Sequence, residues 1–313
     1  MTFHRRCLLA GLALAAIAAT PLAQAQKLTP LAVSYTATAE FGAAFIAKEE
    51  GFFAKRGLDV SLQLIPVSPN VPAAVMSNSM QIGGTTPPVL LQAVDSGLDL
   101  VAVAGGGVFD APARPLGLVA RTGLKIVTAQ DLVGKKVGVP GFNASIHLMV
   151  RKWLLDKGVD PKRVTFIEVP FPQMPDVLKG GSVDVVASGV PFIGRMVQGG
   201  IGVEVPAFAD DLQSGFSSVL YVSTRKWATE NGAVVKAFRE ALAEAIAFGN
   251  ANRDKAYDDI GKYFKVPTPV LRAMPWPKWT VTVDDAQLRF WVDTMRTQDM
   301  LKKQAVLSST ILK

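Results

Sequence analysis

The sequence predicts an α/β protein built as two lobes, each around a mostly parallel sheet, joined by two crossover segments. Three observations carry that prediction. Short apolar runs alternate with helix-period segments from residue 31 onward. The layout of residues 31–104 recurs over residues 137–187. The last third, from residue 224, is almost wholly helical in pattern.

Before the first strand, residues 1–25 have the form of a cleavable secretory leader. His4, Arg5 and Arg6 give a basic start, Leu8 to Ala19 an apolar run too short for a comfortable membrane span, and Ala23-Gln24-Ala25 a small-x-small cleavage site. The Arg5-Arg6 pair fits a plain basic start or a twin-arginine signal. Cleavage would leave 288 residues with a net charge of +5 and no cysteine, because Cys7 departs with the leader. Such a chain tolerates an oxidising compartment without using its chemistry.

The elements then follow in order. Leu31 to Ser34 is a buried-strand run, and Tyr35 to Glu40 a loop. Phe41, Ala44, Phe45 and Phe52 recur at helical spacing before Gly57. Val60 to Ile65 is a strand, Pro72 to Ser79 a short helix and Met80 to Gly83 a strand. Thr86-Pro87-Pro88 forms an N-cap and first turn for a helix through Val94. Leu100 to Ala104 is a strand running into Gly105-Gly106-Gly107, read as a hinge or turn.

The second segment repeats the plan. Val137 to Val139 is a strand, and Ile146, Val150, Trp153 and Leu154 mark a helix face. Val164 to Val169, Pro175 to Lys179 and Val183 to Ala187 give strand, helix and strand. Ile82 lies 25 residues after Gly57, and Val183 lies 25 residues after Gly158. That shared spacing implies two similar lobes with a cleft between them.

From Val219 a strand to Ser223 precedes an amphipathic stripe of Val234, Val235, Phe238, Ala241, Leu242, Ala245 and Ile246. Further helices are expected over 254–263, 269–273 and 285–293. So apolar a set needs a sheet to cover, and the first lobe offers one. The expected organisation is lobe 1 over 26–122, lobe 2 over 123–218 and a return to lobe 1 over 219–313. The crossovers then fall near 121–125 and 216–221.

The chemistry available is narrow. One Cys and two His exclude multi-Cys zinc sites and multi-His metal centres within the chain. A Gly-x-Ser-x-Gly elbow, a phosphate loop and a dinucleotide fingerprint are missing. Gly134-Lys135-Lys136 reads as a helix end with lysines that suit its dipole. Asp176, Asp184 and Glu204 are scattered rather than paired. No catalytic residue, cofactor or metal is therefore expected. His147, the one mature histidine, is read as a structural or binding residue. Lysines and arginines are dispersed, so a solvated surface explains the charge better than nucleic acid does.

One element stands out. Pro140-Gly141-Phe142-Asn143-Ala144-Ser145-Ile146-His147 joins a strand to a helix expected to begin near Asn143, offering unpaired amides and the positive end of a helix dipole to an anion. An ordinary Asn or Ser cap is the alternative. Thr85-Thr86 repeats the device in the first lobe.

Gly51-Phe52-Phe53-Ala54-Lys55-Arg56-Gly57-Leu58-Asp59-Val60 and Asp131-Leu132-Val133-Gly134-Lys135-Lys136-Val137-Gly138-Val139 together resemble the periplasmic substrate-binding proteins of ABC importers for nitrate, sulfonates and taurine. The Tyr35–Gly51 loop and helix, Ile82 to Pro88, and the Asn143–His147 turn add to the likeness, which spans nearly all of the mature chain. The resemblance implies a bilobal type II periplasmic binding protein fold and a periplasmic, monomeric solute-binding subunit. It would close on a small organic anion, sulfonate-like or carboxylate, and deliver it to an ABC permease in the inner membrane. It also implies ligand-binding positions at Tyr35, Thr36, Thr85, Thr86, Asn143, Ala144, Ser145, and the Gly189-Val190-Pro191 loop. Where relatives often carry Trp and Glu before the loop proline, this chain has Gly189 and Val190, which disfavours taurine. Phe142, Phe192 and Phe216 are candidates to line a more apolar pocket. A binding protein or enzyme for a thiamine-type pyrimidine precursor is the alternative.

Overall fold

The computed structural model describes residues 27–302 and 307–312. The expected leader, its cleavage site, His4 and Cys7 lie outside the described residues.

Among the described residues ten strands form two mixed sheets. They are β1 (Thr29–Tyr35), β2 (Leu58–Leu64), β3 (Ile82–Thr85), β4 (Leu100–Val108), β5 (Leu116–Arg121), β6 (Lys136–Val139), β7 (Thr165–Glu168), β8 (Val185–Gly189), β9 (Gly202–Val205) and β10 (Ser217–Thr224). The first sheet has the order β2-β1-β3-β10-β4 and the second β7-β6-β8-β5-β9. The two orders match place for place, which gives the 25-residue repeat its structural meaning. In each sheet the first two pairs of that order are parallel, as expected, and the fourth strand runs antiparallel to both neighbours. Each sheet is therefore half parallel and half antiparallel.

The antiparallel strand is the one that has just crossed from the other sheet. The chain changes sheet within residues 109–115 and again within 211–216, because β5 belongs to the second sheet and β10 to the first. The crossovers expected near 121–125 and 216–221 are thus displaced toward the amino terminus. Residues 121–125 instead hold a turn at Gly123, with φ +91, between β5 and β6 inside the second lobe.

After β10 the chain returns to the first lobe, as the apolar stripe required. Helix Gly232–Ala251 buries Val235, Phe238, Ala241, Leu242 and Ala245 against helix Gly42–Glu49 and β2. Phe238 stacks on Phe53 at 5.5 Å between centroids and meets Tyr221 of β10 edge-on at 5.1 Å. Helix Asp285–Arg296 packs on helix Pro87–Asp95 of the first lobe and on helix Ser145–Asp156 of the second. It opens on a reciprocal capping box between Asp284 and Gln287.

Gly105-Gly106-Gly107 is not a hinge. All three lie in β4, buried along its whole length. Residues 278–282 run along this strand: the Gly105 amide donates to Val281, the Thr280 amide to Gly106 and the Val108 amide to Lys278. A Cβ on Gly105 would sit 2.5 Å from the Thr282 carbonyl oxygen and 2.8 Å from that of Thr280. The glycines are there for close approach rather than for freedom. Gly105→Ala is accordingly expected to lower the unfolding free energy by about 1–3 kcal/mol through forced displacement of the 278–282 segment, measured by urea denaturation. A wild-type midpoint would restore the hinge reading.

Candidate functional site

A cavity lies where the lobes meet, with about 580 Å³ of space between its walls including the mouth. Both lobes and both crossovers line it. Phe109, Pro115 and Leu116 come from the first crossover and the start of β5, and Phe216 and Ser218 from the second crossover and β10. The apolar walls mix aliphatic and aromatic side chains: Phe216 stacks on Phe109 at 5.0 Å and meets Trp291 edge-on at 5.2 Å. Trp291 is fixed by an Nε1–H bond of 2.7 Å to the Ser217 carbonyl.

The polar lining is made of hydroxyls and one acid. Thr36, Thr38, Ser68, Thr86, Ser145 and Ser218 contribute oxygens, and Glu40 is the one ionisable side chain lining the cavity among the described residues. Glu40 sits in a short 3₁₀ turn, Ala39–Phe41, capped by Thr38. That turn is held by Trp279, whose Nε1–H donates to the Ala39 carbonyl at 3.1 Å. The Ser218 hydroxyl donates a hydrogen bond to Glu40 Oε2. Gly107 packs against the same oxygen, where a Cβ would collide with both Glu40 and Ser218. Burial pushes the Glu40 carboxyl up to about 7, partly offset by the Ser218 bond.

The residues named from sequence fall into two groups. Thr36, Thr86, Ala144 and Ser145 line the cavity. Ser145 also ties the lobes together, its Oγ–H donating to the Ser218 carbonyl at 3.3 Å. Tyr35, Thr85, Asn143, Val190 and Pro191 do not line it. Tyr35 packs edge-on against Phe45 and Tyr263, and Thr85 donates to the Ser68 carbonyl at 3.3 Å. Val190 accepts the Ala39 amide across the cleft at 3.3 Å, and its neighbour Gly189 reaches the cavity. Of the three candidate phenylalanines, Phe216 lines the cavity, Phe192 is core between Phe171 and Phe264, and Phe142 is 42% exposed.

The helix of the second lobe begins at Ser145, two residues later than Asn143, with Ala144 as its N-cap. Asn143 adopts φ +61, a left-handed conformation that asparagine tolerates. Its amide donates to His147 Nδ1 at 2.9 Å, which places the histidine proton on Nε2. His147 is packed edge-on against Phe142 and Phe166, and burial, with the nearby Arg151 charge, lowers its pKa to about 4. It braces the turn and does not line the cavity. In the first lobe Thr86 is the N-cap, but Pro87 and Pro88 remove two first-turn amides. The anion device expected there is therefore reduced to a hydroxyl, whose Oγ1 is buried without a hydrogen-bond partner.

Glu40 was missed because an acid in a loop reads as surface. The available signal was its setting, a lone acid in the run Ala37 to Phe45, together with a glycine triplet elsewhere that leaves room for it.

The two buried titrations act in opposite senses. The folded chain keeps a proton on Glu40 that the unfolded chain has lost, so that contribution is full below about pH 4.5 and disappears as pH rises to about 7. The unfolded chain binds a proton on His147 that the folded chain lacks, so that contribution is full above about pH 6.5 and disappears as pH falls to about 4. Each amounts to roughly 3 kcal/mol over its range. Between about pH 4.5 and 6.5 they offset one another. Glu40→Gln is expected to make stability rise with pH across that window, and His147→Gln to make it fall, by urea denaturation at three pH values. Two variants with the wild-type profile would show that neither group titrates as a buried one.

The family model described as NMT1/THI5 like matches residues 38–256. A protein of Brucella abortus (strain 2308), whose name assigns it a binding role, is 27% identical over 222 residues, 71% of this chain and 67% of its own. The alkanesulfonate-binding protein SsuA of Xanthomonas axonopodis pv. citri, bound to MOPS, aligns with a TM-score of 0.77 at 19% identity, over 90% of this chain and 98% of that one. The periplasmic nitrate-binding protein NrtA of Synechocystis PCC 6803 aligns with a TM-score of 0.77 at 17% identity, over 91% and 84%. At such identities the two structures speak for the fold, that of the periplasmic binding proteins. The family match covers the cleft loops and most of both lobes, and this chain belongs to the NMT1/THI5-like family.

Proposed function

We propose that the chain is the periplasmic solute-binding subunit of an ABC importer, exported by the leader at residues 1–25, acting as a monomer and delivering a small organic molecule to an inner-membrane permease. One observation carries this reading: the cavity is walled by both lobes and tied shut by bonds that cross between them. The Ala39 amide reaches Val190, and Ser145 reaches Ser218. Beside the lining residues Ser68 and Pro140, Gly141 lies so close to Pro69 that a Cβ on it would approach the ring at 2.8 Å. A ligand here is enclosed, and release requires the lobes to part. Hinge closure of this kind is how such an arrangement captures and hands over a solute. The Brucella binding protein and the sulfonate- and nitrate-binding structures support the same reading by likeness.

Thr36, Thr86, Ala144, Ser145 and Gly189 are the proposed contact positions. Tyr35, Thr85, Asn143 and the Val190-Pro191 pair act as their supports. The aromatic walls suit an apolar body. The organic anion expected from the sequence fits less well. It finds the amino-terminal end of helix Ser145–Asp156 and several hydroxyls, but no Lys or Arg among the described lining residues. It also shares the space with Glu40. An anion about 4 Å from the ionised carboxylate is repelled by about 4 kcal/mol at an effective dielectric near 20.

A thermal-shift screen across sulfonates, nitrate, carboxylates, amines and aminopyrimidines is expected to yield a stabilising compound, at about 2.7 kcal/mol when present at a hundred times its Kd. Small-angle scattering should then show a smaller radius with that compound than without it. Gly189→Phe, which fills the cavity from the wall of the second lobe, should abolish the shift while the circular dichroism spectrum stays native. A shift retained in that variant would move binding elsewhere.

A further inference from the structure

We infer that Glu40, held by Ser218, is the specificity-determining residue of the cavity and reads a protonated amine on the ligand. The inference rests on the solute-binding reading above and deepens it.

Four features of the structure support it. Glu40 is buried at 8% exposure and lines the cavity, with no cation among the lining residues to neutralise it. Its one side-chain hydrogen bond comes from a neutral hydroxyl to a single oxygen, Oε2. A carboxylate in this setting is half satisfied until a donor arrives. The third feature is the space made for it. Gly107 is the point in β4 where any side chain would displace the carboxylate, and Trp279 clamps the turn that carries it. A residue that merely filled the core would need neither device. The fourth is the rest of the lining, hydroxyl-bearing, aliphatic and aromatic, which can surround a nitrogen head and flank a planar or alkyl body. A charge-assisted bond to a buried carboxylate is also the kind whose loss leaves an unpaired group behind, so it discriminates strongly between a ligand with the donor and one without.

The elements packed against Glu40 add no second charge to the cavity. They bring Gly107 from β4, Ser218 from β10, Thr38 from its own turn, and Phe171 and Gly189 from the second lobe. Tyr221 of β10, Lys48 and Glu49 of helix Gly42–Glu49, which packs on the turn, Lys278 beside β4, and His147 with Arg151 on helix Ser145–Asp156 of the second lobe do not line the cavity. The ionisation of Glu40 is therefore what a ligand in the cavity senses.

Benzylamine, benzyl alcohol and benzenesulfonate share a ring and differ in the head group, and calorimetry on the full chain can compare them. Benzylamine should bind most tightly. Glu40→Gln should weaken it by about ten- to hundredfold while leaving benzyl alcohol within a few-fold. The wild-type protein supplies a second readout that needs no variant. Benzylamine stays protonated from about pH 5 to about pH 8, and its affinity should rise about tenfold per pH unit up to about pH 7 and then level off as the carboxyl finishes losing its proton. Benzenesulfonate tighter than benzylamine, an unchanged benzylamine affinity in folded Glu40→Gln, no binding of benzylamine, or a flat pH profile would each overturn the assignment. Its failure is separable from that of the function. A screened compound that contracts the protein but carries no N–H donor sinks the role of Glu40 alone, whereas no contracting compound of any class sinks both.

Discussion

Neither sheet is complete without a strand that has come from the other lobe. β10 lies between β3 and β4, and β5 between β8 and β9, each antiparallel to its neighbours. An unfilled place in the middle of a buried sheet would strand two rows of backbone donors and acceptors. The lobes are thus bound to one another through their cores rather than through a surface contact. This constraint decides where the cavity sits. The residues at the crossings, Phe109, Pro115 and Leu116 on one side and Phe216 and Ser218 on the other, become part of its wall because both crossover segments must pass there. A site built on the crossings is shared by construction, and any relative motion of the lobes is felt at it.

The same crossing carries the site's polar chemistry. Ser218 is the second residue of β10, so the strand that completes the first sheet also delivers the hydroxyl that bonds Glu40 and the carbonyl that receives Ser145. Glu40 from the first lobe and Ser145 from the second therefore meet through one residue. Because Ser145 contributes both a cavity hydroxyl and an interlobe bond, occupancy of the cavity and approach of the lobes draw on common groups. That is the structural requirement for a ligand to shift an open–closed equilibrium, since the shift can be no larger than the difference in its interactions with the two states.

Much of this was legible in the sequence because it is written in local chemistry. Apolar runs broken by glycines at a repeated 25-residue spacing predicted two like lobes, and the stripe from Val234 to Ile246 predicted a helix returning to cover the first sheet. Thr36, Thr86, Ala144 and Ser145 were reachable for the same reason, as they sit where strands hand over to turns and helices. The rest depends on residues distant in the chain. Gly123 and the true crossings look alike locally, and only the pairing of β5 with β8 and β9 tells them apart. The triplet Gly105-Gly106-Gly107 resembles a hinge until residues 278–282 and Glu40 are seen pressed against it. Tyr35 and Thr85 were close in sequence to the cavity but turn their side chains to the core or to a neighbouring loop, and Asn143 serves the turn through its backbone amide.

A buried acid with no cationic partner costs free energy in the empty protein, and nothing in the packing obliges one at residue 40. Gln would fill nearly the same volume, and its amide would be tolerated by Ser218. The fold instead meets the cost with a large aromatic core: Phe53, Phe238 and Tyr221 in the first lobe, and Phe109, Phe216 and Trp291 at the crossing, each buried. Perturbed carboxyls retained at such a cost collect at functional sites, where the missing partner belongs to the ligand. The position of Glu40 supports that account over a structural one. Asp259, a fully buried acid outside the cavity, is paired with both Lys255 and Lys262 within the chain. Two buried acids in one lobe are thus treated differently, one neutralised by its own protein and the other left to a neutral hydroxyl at the wall of the cleft. What separates them is access to a guest, and a guest that supplies the donor the protein withholds turns the cost of the empty site into selectivity for the occupied one.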